Sequence, residues 1–138
     1  MKKTNEVSKL VGVSRRTLQY YDDEGLLMVE RSSNNHRMYD RRALERIWEI
    51  LVYKEMDFEL REIKILLDVP DEQRQRYLEE RMEKIRDKIM ELKVQMRFVS
   101  LIRDKGIPAA PTEESGKTYV KSIEELREKV RKEIVKEE

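Results

Sequence analysis

Residues 4–25 read TNEVSKLVGVSRRTLQYYDDEG, and this stretch decides the fold of the N-terminal part of the chain. Thr4 is a candidate N-cap for a short helix, which Gly12 ends because glycine readily adopts the left-handed conformation found after helix C-termini. Ser14 can cap a second helix, predicted over residues 15–24. Two short helices joined by a three-residue turn are typical of a helix-turn-helix.

Cationic and polar side chains are concentrated on the second predicted helix, where a DNA-reading helix makes its contacts. Arginine and glutamine can donate to base edges and phosphates, and tyrosine hydroxyls can reach phosphates. The residues of this kind on the helix are Arg15, Arg16, Thr17, Gln19, Tyr20 and Tyr21. Their composition alone fits either a DNA-contacting helix or an ordinary solvated helix.

A β-hairpin is predicted directly after this helix. Two short extended stretches, 26–29 and 36–39, flank the polar tip RSSNN at residues 31–35, and asparagine tolerates the positive φ of tight turns. Arg37 and Tyr39 are two residues apart and therefore share one face of the second strand. The residues alone allow two interpretations. Both side chains belong to a binding surface, or Arg37 is a surface cation and Tyr39 a core aromatic. A hairpin placed here would form the wing of a winged helix-turn-helix.

Two more helices complete a predicted domain over residues 1–70. Asp40 can cap the first of them, which extends to about Met56. Its predicted buried face consists of Leu44, Ile47, Trp48 and Leu51. The second begins at Phe58 and ends before Pro70, because the residue before a proline is disfavoured in the α conformation.

Residues 71–104 are predicted to form one continuous helix with a heptad repeat. Its apolar residues alternate spacings of four and three, which is typical of a coiled coil. We call these residues the seam: Leu78, Met82, Ile85, Ile89, Leu92, Met96 and Val99. A lone helix would expose the seam to water, so a second copy of the chain is the simplest predicted partner.

Residues 105–138 are predicted to form a linker and an amphipathic helix. The linker extends to about Thr118, and Ser122 with Glu125 fits a capping box for the last helix. We expect this helix to pack on the dimer. The alternative is a cap over a small ligand site that includes an aromatic residue: Tyr119, Phe98 or Trp48.

The composition excludes several chemistries. The 138 residues are 43% charged and 38% hydrophobic, and the formal net charge is +1. Residues 1–46 carry ten Lys/Arg and seven Asp/Glu, a net charge of +3, which permits nucleic-acid binding without demonstrating it. Because the chain has no cysteine, it cannot form a disulfide, a thiolate metal site or a redox-active thiol by itself. The single His36 excludes a site with several histidines within one chain.

We expect no metal, no cofactor and no enzymatic activity, because the sequence offers no nucleophile–base pair or metal-ligand set. The longest apolar runs, such as residues 50–53, are far too short to span a membrane or to serve in a signal sequence. A cytoplasmic location without membrane contact is therefore expected.

Several stretches resemble the N-terminal domain of MerR-family transcriptional regulators: EVSKLVGVS at 6–14, TLQYYD at 17–22, GLL at 25–27 and RMY at 37–39. Phe58 and the LREIK stretch at 60–64 continue the resemblance, which covers about residues 3–104. It implies a mostly α fold: a winged helix-turn-helix domain, a long antiparallel coiled-coil dimerisation helix and a short C-terminal helix. The sequence departs from the family pattern at three places. Gln19 stands where the family usually has arginine, Asn35-His36 replaces the usual Gly-Tyr, and Asp57 takes the place of a common glycine.

The resemblance also implies a function. A homodimer would bind a near-palindrome in promoter DNA and regulate transcription by distorting that DNA, so RNA polymerase would be affected indirectly. The implied DNA-binding residues are Arg15, Arg16, Thr17, Gln19, Tyr20 and Tyr21, Arg37 of the wing supported by Tyr39, and Lys54 late in the third helix. A small-molecule effector stays open, because the 34 residues after Asp104 are too few to enclose a drug-sized pocket alone.

Two alternatives remain at this point. The same domain could serve an architectural or excisionase-like DNA-binding factor that has no effector. The chain could also be a coiled-coil adaptor whose N-terminal domain binds protein. That interpretation leaves five residues without a shared purpose: Arg15, Arg16, Tyr20, Tyr21 and Arg37.

Overall fold

The computed structural model describes all 138 residues, which form two compact units, Met1–Tyr77 and Leu78–Glu138. The elements in chain order are β1 (Lys2–Lys3), α1 (Thr4–Val11), α2 (Arg15–Asp23), β2 (Glu30–Arg31), β3 (Arg37–Tyr39), α3 (Arg41–Glu55), α4 (Leu60–Leu66), α5 (Asp71–Lys105) and α6 (Tyr119–Glu137). A single 3₁₀ turn, Glu113–Ser115, lies in the linker before α6. The predicted mostly α, winged helix-turn-helix fold with a long following helix is confirmed. The division of the chain into functional segments at 1–70, 71–104 and 105–138 stays a prediction.

The helix-turn-helix forms through the predicted caps, with one correction. Gly12 ends α1 with φ 75°, and the hydroxyl oxygen of Ser14 accepts from the Thr17 amide at 3.1 Å to begin α2. Thr4 is not the cap of α1 but its first residue. The Lys3 amide before it donates to the Glu6 carboxylate at 3.4 Å, so a glutamate in the first turn takes over the expected capping role.

The wing is a three-stranded antiparallel sheet in the order β1-β3-β2. The predicted hairpin pairs Glu30 with Met38, and Asn35 in its turn has φ 61°. The sequence did not predict β1, which pairs Lys2 with Tyr39, because a two-residue strand has no alternation to detect. This extra strand places the start of the chain beside the wing.

The core of the first unit lies where α1 packs on α2 and α3, and α3 packs on α4. Its fully buried large side chains are Val7, Leu18, Tyr21, Leu26, Tyr39, Ile47, Ile50, Ile63 and Leu66. Phe58 is also buried, but α4 begins two residues after it, at Leu60.

The predicted buried face of α3 is wrong in part. Ile47 is buried as expected, but Trp48 is 69% exposed, and Leu44 and Leu51 are only partly buried. The face that packs on the core consists of Ala43, Ile47, Ile50 and Tyr53. Apolar residues occur on nearly every side of α3, so helical periodicity alone could not select the buried side.

In the second unit, α6 packs against α5. Val94 of α5 is buried with Val130 and Ile134 of α6, and Met90 and Phe98 pack against this cluster. The Arg97 guanidinium donates to both carboxylate oxygens of Glu137, and Lys93 pairs with Glu138. The hydrogen bond from Arg97 lowers the pKa of the Glu137 carboxyl.

Two predicted features of this unit have different outcomes. The predicted helix over 71–104 agrees with α5 to within one residue. The predicted start of the last helix is wrong, because α6 begins three residues before Ser122. The Thr118 hydroxyl accepts from the Lys121 amide at 3.0 Å, and this cap allows an additional helical turn. None of the helices is both long and apolar enough to cross a membrane.

Candidate nucleic-acid interface

The exposed face of α2 carries most of the predicted DNA-binding residues. Arg15, Arg16, Gln19 and Tyr20 point away from the core, while Leu18 and Tyr21 are buried beneath them. Neither Arg15 nor Arg16 forms an ion pair, so both guanidinium groups keep all their donors available for a partner. We call α2 the recognition helix for this reason.

Thr17 lies at the start of the recognition helix and is partly buried. Its hydroxyl oxygen accepts from the Ser14 hydroxyl at 2.9 Å, and its amide donates back to the same Ser14 oxygen. The structure therefore places Thr17 within the N-cap. Thr17 therefore already helps to fix the start of the helix. A contact from Thr17 to DNA stays a prediction.

Tyr21 and Lys54 come together although they are 33 residues apart in sequence. The Lys54 ammonium donates to the Tyr21 hydroxyl at 3.4 Å and lies 5.9 Å from the centre of its ring. The ring of Tyr21 is buried, whereas Lys54 is exposed at the end of α3. An ammonium group and a hydroxyl held at one edge of the recognition helix can together bind an anionic oxygen.

Arg37 connects the wing to the recognition helix instead of projecting into solvent. Its Nε donates to Asp22 Oδ2 at 2.9 Å, its Nη2 lies 3.3 Å from Asp23 Oδ1, and its side chain is only 18% exposed. The pKa of the Arg37 guanidinium is raised mainly by its hydrogen bond to Asp22. The sequence analysis did not identify Asp22 as its partner, because nothing in the spacing shows that β3 returns to the end of α2.

Tyr39 was predicted among the DNA-binding residues, and the structure corrects this to a supporting position. Its relative exposure is 0%, so its side chain lies within the core. It lies at the end of β3 opposite Lys2, and it anchors the wing to the core. This burial fits the interpretation of Tyr39 as a core aromatic that supports the hairpin.

A cleft of about 310 Å³ lies between the start of α1, the recognition helix and the hairpin. We call it the basic cleft, because its walls include Lys3, Arg15, Arg31 and Arg37 and no carboxylate. The other side chains around it are Thr4, Asn5, Gln19, Asn35 and His36. The sequence did not predict Lys3 and Arg31 as site residues. The only signal it offers is that one basic residue precedes the predicted helix-turn-helix and another lies in the hairpin that follows it.

The fold and this interface define the class of protein: a winged helix-turn-helix protein with an exposed, cationic recognition helix. Residues 3–69 match the family model described as the MerR HTH family regulatory protein. The crystal structure of MtaN, the N-terminus of the Bacillus subtilis multidrug transporter activator, is 32% identical with a TM-score of 0.67. That similarity covers 72% of this chain and 95% of MtaN. This chain belongs to the MerR family.

Two further relatives match shares of the chain that differ in length. The HTH-type transcriptional activator TipA of Streptomyces coelicolor is 47% identical over 66 residues, which are 47% of this chain and 26% of TipA. HiNmlR, a MerR family regulator lacking the sensor domain and bound to promoter DNA in its crystal structure, is 27% identical with a TM-score of 0.53. That match covers 75% of this chain and 82% of HiNmlR. The match to TipA spans about a quarter of the length of TipA.

Proposed function

We propose that this protein is a homodimeric transcriptional regulator that binds promoter DNA through the recognition helix and the wing, and that it acts in the cytoplasm. The observation that carries the proposal is the exposed face of the recognition helix, where Arg15 and Arg16 have no carboxylate partner although the chain has nearly as many acidic as basic residues. Family membership supports it, as does the similarity to HiNmlR, which was crystallised on promoter DNA. The proposal includes no catalytic step.

In this proposal, Arg15, Arg16 and Gln19 face base edges and phosphates in the major groove. Tyr20 and the Tyr21–Lys54 pair bind phosphates at the edge of the helix. Phosphate contacts fix the position of the protein on the duplex, and base contacts select the sequence. Because the recognition helix would contact base edges as well as phosphates, the proposed readout is sequence-specific.

The proposed dimer rests on the seam of α5. Its central residues, Met82, Ile85, Ile89 and Leu92, are 41–51% exposed in the single chain, and Met96 and Val99 are exposed further still. The α6 helix does not cover them, because it packs on the residues around Val94. Contiguous apolar surface of this kind marks an association site, and a heptad repeat fits a second helix of the same kind.

Two recognition helices in a symmetric dimer would read two half-sites of a near-palindrome. We propose that the dimer bends and untwists the DNA between them. RNA polymerase would then respond to the shape of the DNA, and a direct contact between polymerase and the regulator would not be required. An effector that acts on α5 and α6 would be an addition to this activity.

The test uses a fluorescent duplex that the wild-type protein has selected from a random pool, and it measures affinity by anisotropy. The Arg15→Ala/Arg16→Ala variant should lose at least about a hundredfold in affinity for this duplex, since it removes two charged donors from the interface. The matched control Arg127→Ala/Arg131→Ala removes the same charge from exposed positions of α6 and should bind as wild type does. Equal affinity of the two double variants would refute the proposed interface.

A further inference from the structure

We propose that the basic cleft holds a backbone phosphate of the bound DNA, with Lys3 and Arg31 as its ligands together with Arg15, while Arg37 positions the wing without binding the phosphate. This inference rests on the proposed DNA binding and adds residues outside the recognition helix to it. It assigns a role to the start of the chain, which β1 brings beside the wing.

The charges in the cleft are unbalanced. Lys3 and Arg15 form no ion pair, and the Arg31 guanidinium donates only to the backbone carbonyl of Asn35, at 3.2 Å. Some other arginines of the same unit are paired with carboxylates, namely Arg41 with Glu45, Arg46 with Asp68 and Arg61 with Glu59, whereas Arg16 and Arg42 are not. Unpaired cations that converge on one cleft repel one another, and a bound anion offsets this repulsion.

The register of the hairpin strengthens this point. Arg31 of β2 lies directly opposite Arg37 of β3, and like charges in directly opposed positions destabilise a strand pair. Asp22 and Asp23 neutralise Arg37. Arg31 has no such partner, and an anion in the cleft would supply one.

The chemistry of the walls favours a phosphate diester over a free nucleotide. Guanidinium and ammonium groups are the side chains that bind phosphate oxygens best, and the amides of Asn5 and Gln19 add neutral donors. The cleft contains no Phe, Tyr or Trp on which a base could stack. Arg15 and Gln19 belong both to the cleft and to the exposed face of the recognition helix, so a phosphate bound there belongs to the same duplex that this helix reads.

Arg37 also lines the cleft, but its donors are engaged. Nε and Nη2 are directed to Asp22 and Asp23 at 2.9 and 3.3 Å, which holds β3 against the end of the recognition helix. This bond sets the spacing between the two walls of the cleft. Arg37 is therefore a positioning residue for DNA binding, and Lys3 and Arg31 are contact residues.

The salt dependence of binding separates these two roles. Each neutralised phosphate contributes about 0.9 to the slope of log affinity against log salt concentration. The Lys3→Gln/Arg31→Gln variant should bind the selected duplex about tenfold more weakly and lower that slope by about one, with the same loss on unrelated duplexes. The control Lys9→Gln/Arg41→Gln removes two exposed charges outside the cleft and should leave the slope unchanged.

Substitutions of Arg37 and Asp22 test the positioning role by whether they strengthen or weaken DNA binding. Arg37→Gln should weaken binding without changing the salt slope. Asp22→Asn removes a negative charge, so simple electrostatics would strengthen DNA binding, whereas loss of wing positioning should weaken it. The double variant Arg37→Gln/Asp22→Asn should lose no more than either single variant, since both break one interaction. Circular dichroism melts identify any variant that fails to fold.

The possible outcomes distinguish this inference from the proposed function. Wild-type binding to the selected duplex together with an unchanged slope in Lys3→Gln/Arg31→Gln would overturn the phosphate site and leave the DNA-binding function intact. Stronger binding by Asp22→Asn would overturn the positioning role of Arg37. A wild-type protein that selects no duplex would refute the proposed function itself.

Discussion

Two residues other than glycine adopt a left-handed backbone conformation: Asn35 in the wing turn and Asp57 before α4, each with φ 61°. Asparagine and aspartate tolerate this conformation better than other residues, but a side chain there still costs free energy that glycine avoids. Asp57 stands where MerR proteins commonly have glycine. The structure gives the physical reason for that glycine, because the turn that leads α3 into Phe58 requires a positive φ.

We predict that Asp57→Gly stabilises the protein. Relief of the left-handed strain outweighs the greater flexibility that glycine gives the unfolded chain, and the expected net gain is about 0.5 kcal/mol. The measurement is the free energy of unfolding from urea denaturation. Asp57→Ala is the matched control: it removes the same carboxylate but keeps a Cβ, and it should destabilise. A gain of the same size in both variants would show that the carboxylate, and not the backbone, is responsible.

At the scale of elements, the Arg46 side chain connects three parts of the winged domain. From its place on α3, its Nε donates to the carbonyl of Leu26 at 2.6 Å. Its two terminal nitrogens donate to the Asp68 carboxylate at 2.9 and 3.0 Å. Arg46 thus holds the segment after the recognition helix and the segment after α4 against α3. The hydrogen bond from Arg46 is the main cause that lowers the pKa of Asp68.

This bridge predicts a pH dependence with a defined sign. Because the pKa of Asp68 is lower in the folded protein, its stabilisation is present above the unfolded value of about 3.9 and is lost as the pH falls through the folded pKa. Asp68→Asn should therefore reduce the free energy of unfolding at pH 7, by about 0.5 kcal/mol for so exposed a carboxylate. The difference from wild type should disappear at about pH 2. Asp87→Asn, which changes an exposed aspartate of α5, serves as control, and a deficit independent of pH would contradict the account.

The elements differ in how well the sequence predicts them. Strong local signals place α1, α2 and α5 correctly, since caps at Ser14 and Gly12 and an unbroken heptad repeat act over a few residues. Two of the misplaced features depend on tertiary context, whereas the starts of α1 and α6 are set by local caps that the sequence pattern did not single out. The strand β1 exists only because β3 lies beside it, and the buried side of α3 is selected by its neighbours.

The interface shows the same division. The exposed side chains of the recognition helix follow from one helical stretch, so their pattern predicts them. The pairing of Arg37 with Asp22 and the approach of Lys3 to Arg31 join residues from separate elements. These contacts depend on how the wing sits on the helix, and no local pattern carries that information.

Recognition of a near-palindrome requires the dimer, because a single recognition helix reads only one half-site. Ile89 lies at the middle of the seam and is half exposed in the single chain. We predict that Ile89→Glu yields a monomer, because a dimer would have to bury an unpaired carboxylate at its centre. Multi-angle light scattering gives the mass directly.

The control for this variant is Val135→Glu, which places the same charge at an exposed apolar position of α6 outside the seam. It should retain the dimer mass. A dimer that persists in Ile89→Glu would refute the assignment of the seam as the interface between two copies.

The central claim, that this protein is a dimeric reader of DNA sequence, is tested most directly by selecting bound duplexes from a random pool at physiological salt and sequencing them. The account predicts a near-palindrome whose half-sites lie about two helical turns apart, centre to centre, matching the two-fold symmetry of the dimer. Recovery of no common motif would contradict it and would favour a coiled-coil adaptor whose winged domain binds protein.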